Sequence, residues 1–118
     1  MSRVFVVQNQ HRWDRERQTF IPKFDLTPAA EYGELVYLLS PTAAPFTPDP
    51  VLGELRDKLA DFNDGDYLLL VGNPMLIGFA TAIAASANNG HVNLLQWSGK
   101  DRRYIAVEAS GLFTFADR

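Results

Sequence analysis

From Tyr67 to Gly99 the chain contains no Asp, Glu, Lys or Arg. Charged side chains are almost never fully buried without a partner, so a long segment that lacks them is typical of the interior of a folded domain. The segment begins with a short apolar run, continues with an Ala-rich stretch between an Asn-Pro and an Asn-Asn-Gly turn, and ends with a second apolar run. This order predicts strand, helix and strand at the buried centre of a small α/β domain.

The same alternation of strand and helix begins earlier in the chain. The predicted central elements are strand Glu34 to Leu39, helix Val51 to Phe62, strand Tyr67 to Val71, helix Met75 to Ala87 and strand Val92 to Trp97. Two consecutive βαβ units, each with a right-handed crossover, predict a parallel sheet of three strands. The N-terminal strand Arg3 to Val7 and the return strand Arg103 to Glu108 extend this sheet, and Thr27 is expected to cap a short helical turn at Pro28. We therefore expect one α/β domain over residues 1–118, with a mixed sheet of about five or six strands, a parallel βαβαβ centre, two main helices and a C-terminal β-hairpin.

Two tryptophans are each followed, seven positions later, by another aromatic residue. Trp97 precedes Tyr104 and Trp13 precedes Phe20, with a charged loop between the members of each pair. In an antiparallel hairpin, residues at this spacing can lie opposite each other, where an aromatic pair contributes about 0.2–1 kcal/mol. The spacing predicts two hairpins with aromatic cross-strand pairs.

Basic residues cluster in the loops of both predicted hairpins. The candidate nucleic-acid or partner surface consists of Trp97, Lys100, Arg102, Arg103 and Tyr104, and a second basic cluster contains Arg12, Arg15 and Arg17. Aromatic rings next to cations can stack a base and track phosphates. The plain alternative is a charged hairpin tip that blocks edge pairing.

A small-molecule crevice is expected where the parallel strands end, because ligands of open α/β sheets bind beyond the carboxyl ends of the strands. The candidate ligand-binding residues there are Ser40, Thr42, Gly72 and Asn73. The helix that begins at Pro74 can offer N–H groups to an anion, but proline removes one donor and no Lys or Arg follows at the P-loop position. An ordinary capped strand-to-helix turn is the alternative.

The residues give little support to catalysis, metal binding or export. The chain has no Cys, and His11 and His91 have no partner at metal-ligand spacing. Asp64 and Asp66 flank Gly65 as in a turn that stops a helix, without the further oxygens of a calcium loop. We expect no catalytic residue, no metal, no cofactor and no membrane segment, and a cytoplasmic location.

Three segments of the chain are distinctive: FDLTPAAEYGELVYLLS, DGDYLLLVGNPMLIGFATAIAA with NNG, and VNLLQWSGKDRRYIAVE. Together they resemble short uncharacterised proteins encoded by tailed bacteriophages and prophages. The resemblance covers Val4 to about Glu108. It implies an accessory role in a virus, in the host cytoplasm, and implies nothing about catalytic or binding residues.

Three functions therefore remain open. The first is a non-enzymatic phage-type accessory protein that binds another macromolecule, such as a host or phage protein. Such a protein is also expected to self-associate into a homo-oligomer. The surfaces for this contact are the uncharged helix and the apolar tail with Leu112, Phe113 and Phe115. The second is a small-ligand or nucleotide-binding α/β domain. The third is single-stranded nucleic-acid binding through the basic aromatic hairpin.

Overall fold

A five-stranded mixed sheet forms the body of the protein in the computed structural model, which describes residues 2–113. The elements follow one another as β1 Arg3–Gln8, β2 His11–Asp14, β3 Thr19–Pro22, a 3₁₀ helix Thr27–Tyr32, β4 Glu34–Leu39, α1 Pro48–Lys58, β5 Tyr67–Leu69, α2 Pro74–Ala87, β6 Val92–Ser98 and β7 Arg103–Ala109. The strand order is β4-β1-β5-β6-β7, while β2 and β3 form a separate antiparallel hairpin. The predicted fold class is confirmed.

Strand β1 lies between β4 and β5, and it is parallel to both. With β6 parallel to β5, the parallel part of the sheet has four strands, one more than the three predicted from the βαβ units. The connection from β4 to β5 through α1 therefore passes over β1. This central position explains why Val4, Phe5, Val6 and Val7 are all buried. The strand has neighbours on both sides and cover on both faces, so the side chains that point to either face of the sheet are shielded from solvent.

Different elements cover the two faces of the sheet. Helices α1 and α2 pack on the first face, where Phe5, Val7 and Leu68 belong to the main core. On the second face, Leu26 and Ala29 of the 3₁₀ helix segment pack against a smaller core. The remaining members of that core are Val4, Val6, Leu69, Leu95 and Tyr104. Within residues 2–113, the short 3₁₀ helix segment thus covers the second face.

Three local predictions need correction. Helix α1 ends at Lys58, before the predicted Phe62, although Leu59 and Phe62 are still buried in the turns that follow. Strand β5 ends at Leu69, before the predicted Val71, because the Val71 amide donates to the Leu69 carbonyl and not to a neighbouring strand.

The third correction concerns Thr27, which is not a helix cap. Its own backbone N–H donates to the Asp25 carboxylate, and it is the first residue of the 3₁₀ helix.

The outer side of α2 is open in the part of the chain that the structure describes. Leu76, Ala80 and Ala84 are buried against the sheet, as the apolar pattern indicates. The other side is exposed within residues 2–113, since Met75 is 45% exposed and Ala82 is exposed too.

The beginning of the C-terminal tail lies against the turn after α2. The Leu112 amide donates to the Gly90 carbonyl at 3.2 Å. A Cβ added at Gly90, where φ is +84°, would come within 3.2 Å of the Phe113 amide nitrogen, so this close approach favours glycine. Phe115 lies outside the described residues.

A buried carboxylate fixes the edge of the sheet at which the parallel strands begin. Asp66 is fully buried and accepts hydrogen bonds from the Arg3 guanidinium at 3.1 and 2.7 Å, from the Arg3 amide and from the Asn63 amide. The hydrogen bond to Asp66 is also the main reason that the pKa of Arg3 is raised above its ordinary value. The second Asp of the Asp-Gly-Asp segment therefore joins the turn before β5 to the start of β1.

We predict that Asp66→Ala lowers the free energy of unfolding by about 3–5 kcal/mol, because it leaves the partly buried Arg3 guanidinium without its main partner. Urea unfolding monitored by circular dichroism measures the change. The control is Asp61→Ala, which removes the exposed partner of the same arginine and should cost less than about 1 kcal/mol. Equal losses in the two variants would contradict the assignment.

Candidate functional site at the carboxyl edge of the sheet

The candidate site is the edge at which the four parallel strands end, here called the carboxyl edge. Strand β1 ends there at Gln8 and continues into the hairpin β2–β3, and β6 ends there at Ser98 and continues into the turn before β7. The loop after β4 and the turn Gly72-Asn73 leave the same edge, because the strands are parallel. Both predicted hairpin loops and both predicted ligand loops therefore start from one side of the molecule.

Gln8 joins the two predicted ligand loops. Its side chain is buried, its Nε2 donates to the Ser40 and Ala43 carbonyls at 3.2 Å each, and its Oε1 accepts from the Asn73 amide at 3.0 Å. Sequence reasoning missed this residue. The available signal was a glutamine at the end of an apolar strand, since a buried polar side chain requires hydrogen-bond partners.

The predicted ligand residues bond mainly to their own loops. The hydroxyl groups of Ser40 and Thr42 lie 2.9 Å apart, and Asn73 Oδ1 accepts from the Met75 amide at 2.9 Å, which confirms the helix cap. Gly72 has φ of +129°, and a Cβ there would lie 2.7 Å from Gln8 Cβ, so glycine permits the close approach.

A buried acceptor near these loops keeps the small-ligand hypothesis open. Asn9 Oδ1 is buried and has no hydrogen-bond partner among residues 2–113. Asn9 and Ser40 both line a shallow cavity of about 320 Å³ between the ends of β1 and β4. Binding of a small ligand by Ser40, Thr42, Gly72 and Asn73 stays a prediction.

The C-terminal hairpin brings Trp97 and Tyr104 together as predicted. They are direct cross-strand partners, and their ring centroids lie 5.0 Å apart at an interplanar angle of 68°. This is the edge-to-face arrangement that aromatic pairs prefer. Tyr104 is 5% exposed and Trp97 is 46% exposed, so the half-exposed Trp97 ring packs on the buried Tyr104 ring.

The basic residues of this hairpin divide between two places. Lys100 and Arg102 are exposed in the turn, where Arg102 has φ of +54°. Arg103 is the first residue of β7 and directly precedes Tyr104, so its side chain projects to the opposite face of the sheet. The structure therefore places Lys100 and Arg102 in the turn that follows Trp97, and it separates Arg103 from the aromatic pair.

The hairpin β2–β3 has an aromatic pair of the same geometry, although its Phe20 is 66% exposed whereas Tyr104 is buried. Trp13 is paired with Phe20, with ring centroids 5.1 Å apart and an interplanar angle of 74°. Trp13 is 48% exposed, nearly the same as Trp97. The two-copy spacing noticed in the sequence thus corresponds to two hairpins of matching aromatic geometry.

A cavity of about 480 Å³ lies between the segment after β3 and the ends of β5 and β6. Its aromatic and aliphatic lining comes from Phe24, Pro28, Leu69, Val71, Trp97 and Tyr104. Lys23 and Asp25 also line it. This volume falls within the roughly 300–1,000 Å³ of small-molecule sites.

Hydrogen bonds tie the walls of this cavity together. The Tyr104 hydroxyl donates to the Asp25 carbonyl at 3.3 Å, and the Tyr32 hydroxyl donates to the Tyr104 carbonyl at 3.1 Å. Burial raises the pKa of the Tyr104 hydroxyl. A hydrogen bond from the Thr27 amide lowers the pKa of Asp25, which keeps a carboxylate at the cavity.

Charge is distributed unevenly over the molecule. The hairpin region 11–25 and the turn region 98–103 contain seven cations, namely Arg12, Arg15, Arg17, Lys23, Lys100, Arg102 and Arg103, and four carboxylates, namely Asp14, Glu16, Asp25 and Asp101. Their formal charge is therefore +3. The rest of residues 2–113 has three cations and nine carboxylates, a formal charge of −6. The two hairpin regions that start from the carboxyl edge are thus basic in a protein that is acidic in total.

Fold and site together define a small mixed α/β protein with an aromatic and basic carboxyl edge. Residues 2–110 match the family described as Phage Pam3 gp32-like protein, and the chain belongs to that family. The resemblance to short phage proteins is thereby confirmed. No curated protein and no solved structure matches the chain. Each helix within residues 2–113 is too short or too polar to cross a bilayer.

We predict that Gln8→Leu destabilises the protein by about 1–3 kcal/mol, because it leaves the Asn73 amide and the Ser40 carbonyl without their buried partner. Thermal or urea unfolding measures the loss. The control is Gln96→Leu, the same change at an exposed position, which should stay within about 0.5 kcal/mol of the parent. An unchanged stability of Gln8→Leu would show that the two loops do not depend on the glutamine.

Proposed function

We propose that this protein is a non-enzymatic phage accessory protein and that its carboxyl edge binds single-stranded nucleic acid. One observation carries the proposal: the two basic hairpin regions, each with a half-exposed tryptophan, leave the same edge of the sheet. The sequence indicated the two clusters separately. Their common origin follows from the central position of β1.

The chemistry of the edge suits an anionic chain with unpaired bases. Aromatic rings stack on the faces of bases, a contact worth about 1–3 kcal/mol per base, and Lys and Arg neutralise phosphates. Trp13 and Trp97 offer exposed rings, while Lys100 and Arg15 are exposed cations in the adjoining turns. A duplex would hide its base faces from these rings, so a single strand is the better fit.

The negative charge of the remaining surface favours one orientation. A nucleic acid is repelled by a body of formal charge −6 and attracted by an edge of +3, so the contact is directed to the hairpins. Trp, Tyr and Arg are also frequent hot-spot residues of protein interfaces. A host or phage protein is therefore the competing partner, and it would bind without the salt dependence of phosphate contacts.

We predict that a fluorescein-labelled 20-nucleotide oligo(dT) binds at low salt and that the logarithm of the binding constant falls linearly with the logarithm of the salt concentration. Fluorescence anisotropy measures the slope. Lys100→Glu and Arg15→Glu should each weaken binding and reduce the slope by about 1, because each loses a phosphate contact.

Arg56→Glu is the matched control, since it makes the same change at an exposed position on α1 and should leave the binding constant unaltered within error. Binding that does not respond to salt, or no binding at all, would overturn the proposal.

Self-association through α2 is a second proposal, with its own supporting observation. The exposed positions Met75, Gly78, Ala82 and Ser86 follow one another along the outer side of the helix, and α2 contains no charged residue. Charged residues are depleted at the centre of protein interfaces, and a two-fold axis brings the same surface of two copies together. Small side chains allow two such helices to approach closely. A second copy of this chain is therefore the proposed occupant.

We predict a dimer in light scattering coupled to size-exclusion chromatography at micromolar concentration. Ala82→Arg should shift the protein to the monomer, because it places a charge at the centre of the proposed contact. Ala60→Arg, at an exposed position after α1, should leave the dimer intact. A monomeric parent protein, or a dimer that tolerates Ala82→Arg, would refute this interface.

A further inference from the structure

We infer that the cavity between Phe24 and Trp97 holds one unpaired base of the bound strand, an inference that rests on the proposed function. Phe24 is 44% exposed and Trp97 is 46% exposed, and both line the same cavity. The exposed part of each ring offers stacking surface beyond the contacts that Phe24 makes with Lys23 and that Trp97 makes with Tyr104. Because every base has an aromatic face, such a site accepts bases with little preference for sequence.

The cavity is formed before a ligand arrives. Trp97 packs edge to face on the buried ring of Tyr104, whose hydroxyl bonds the Asp25 carbonyl beside Phe24. The wall that carries Phe24 is thus joined to the hairpin that carries Trp97. Preformed walls reduce the cost of ordering side chains on binding.

The surroundings favour a nucleotide over a purely apolar ligand. Leu69 and Val71 supply an aliphatic part of the lining, which suits the faces of a base. Cations stand next to the same rings: Lys23 Nζ lies 5.4 Å from the centroid of Phe24, and the exposed Lys100 follows Trp97 by three positions. A base inside the cavity would leave its phosphates among these cations. Lys23, Lys100 and Arg102 outnumber the neighbouring carboxylates Asp25 and Asp101, so the charge around the cavity favours a nucleic-acid strand as the occupant.

The test uses the full chain and an oligo(dT) of ten nucleotides that carries one 2-aminopurine. Stacking of 2-aminopurine on an aromatic ring quenches its fluorescence, so the probe reports entry into the cavity. We expect quenching on binding. Phe24→Ala should remove most of the quenching and weaken binding about 5-fold or more, in line with the loss of one stacked base.

Two further variants control for folding and for general loss of aromatic surface. Phe24→Trp keeps a stacking ring and should retain both quenching and affinity. Phe113→Ala removes a partly exposed ring beside Gly90, near the start of β6 and thus far from the carboxyl edge, and should change neither. Circular dichroism confirms that each variant is folded.

The possible failures can be told apart. If the parent protein binds the oligonucleotide but Phe24→Ala binds equally well with full quenching, the cavity does not hold a base, although the carboxyl edge still binds the strand. If the parent protein does not bind the oligonucleotide at low salt, the proposed function is wrong and this inference is wrong with it.

Discussion

The position of β1 at the centre of the sheet is the constraint on which the rest of the structure depends. Its four residues from Val4 to Val7 are buried on both faces, so the strand pairs on both sides and is covered by helices on one face and by the 3₁₀ segment on the other. The two polar residues at its ends then fix the two edges of the sheet. Arg3 binds the buried Asp66 at the edge where the strands begin, and Gln8 binds two loops at the edge where they end. One strand therefore defines the core and both boundaries of the domain.

The same position of β1 accounts for the basic edge. Because β1 is parallel to β5 and β6, the hairpin that follows it leaves the sheet on the same side as the turn that follows β6. Two hairpins whose tryptophans are 84 residues apart in the chain therefore start from the same edge of the sheet. Each tryptophan is held by an edge-to-face partner, and each remains about half exposed. These half-exposed rings are the surface that we propose for binding.

Much of this fold is encoded in local patterns. The uncharged segment Tyr67 to Gly99 contains all of β5, α2 and β6 as predicted, since hydrophobic period and turn residues act over short distances. The Trp-to-aromatic spacing gave the register of both hairpins. The insertion of β1 between β4 and β5 could not be predicted, because strand order is decided by long-range packing. The side chains of β1 are apolar on both faces of the strand, and this pattern does not indicate which strands lie beside it. For the same reason Gln8 and Phe24 were missed: each acquires its role from segments distant in sequence.

Nuclear magnetic resonance of ¹⁵N-labelled protein titrated with oligo(dT) can show whether the two hairpins bind a nucleic-acid strand. The chain has two tryptophans, so two indole N–H signals report on the two hairpins separately. We expect that the signals of Trp13 and Trp97 both shift, together with the amides of the turns at the carboxyl edge, while the amides of α1 and α2 stay in place. Shifts confined to the helices, or no shifts at low salt, would contradict this expectation.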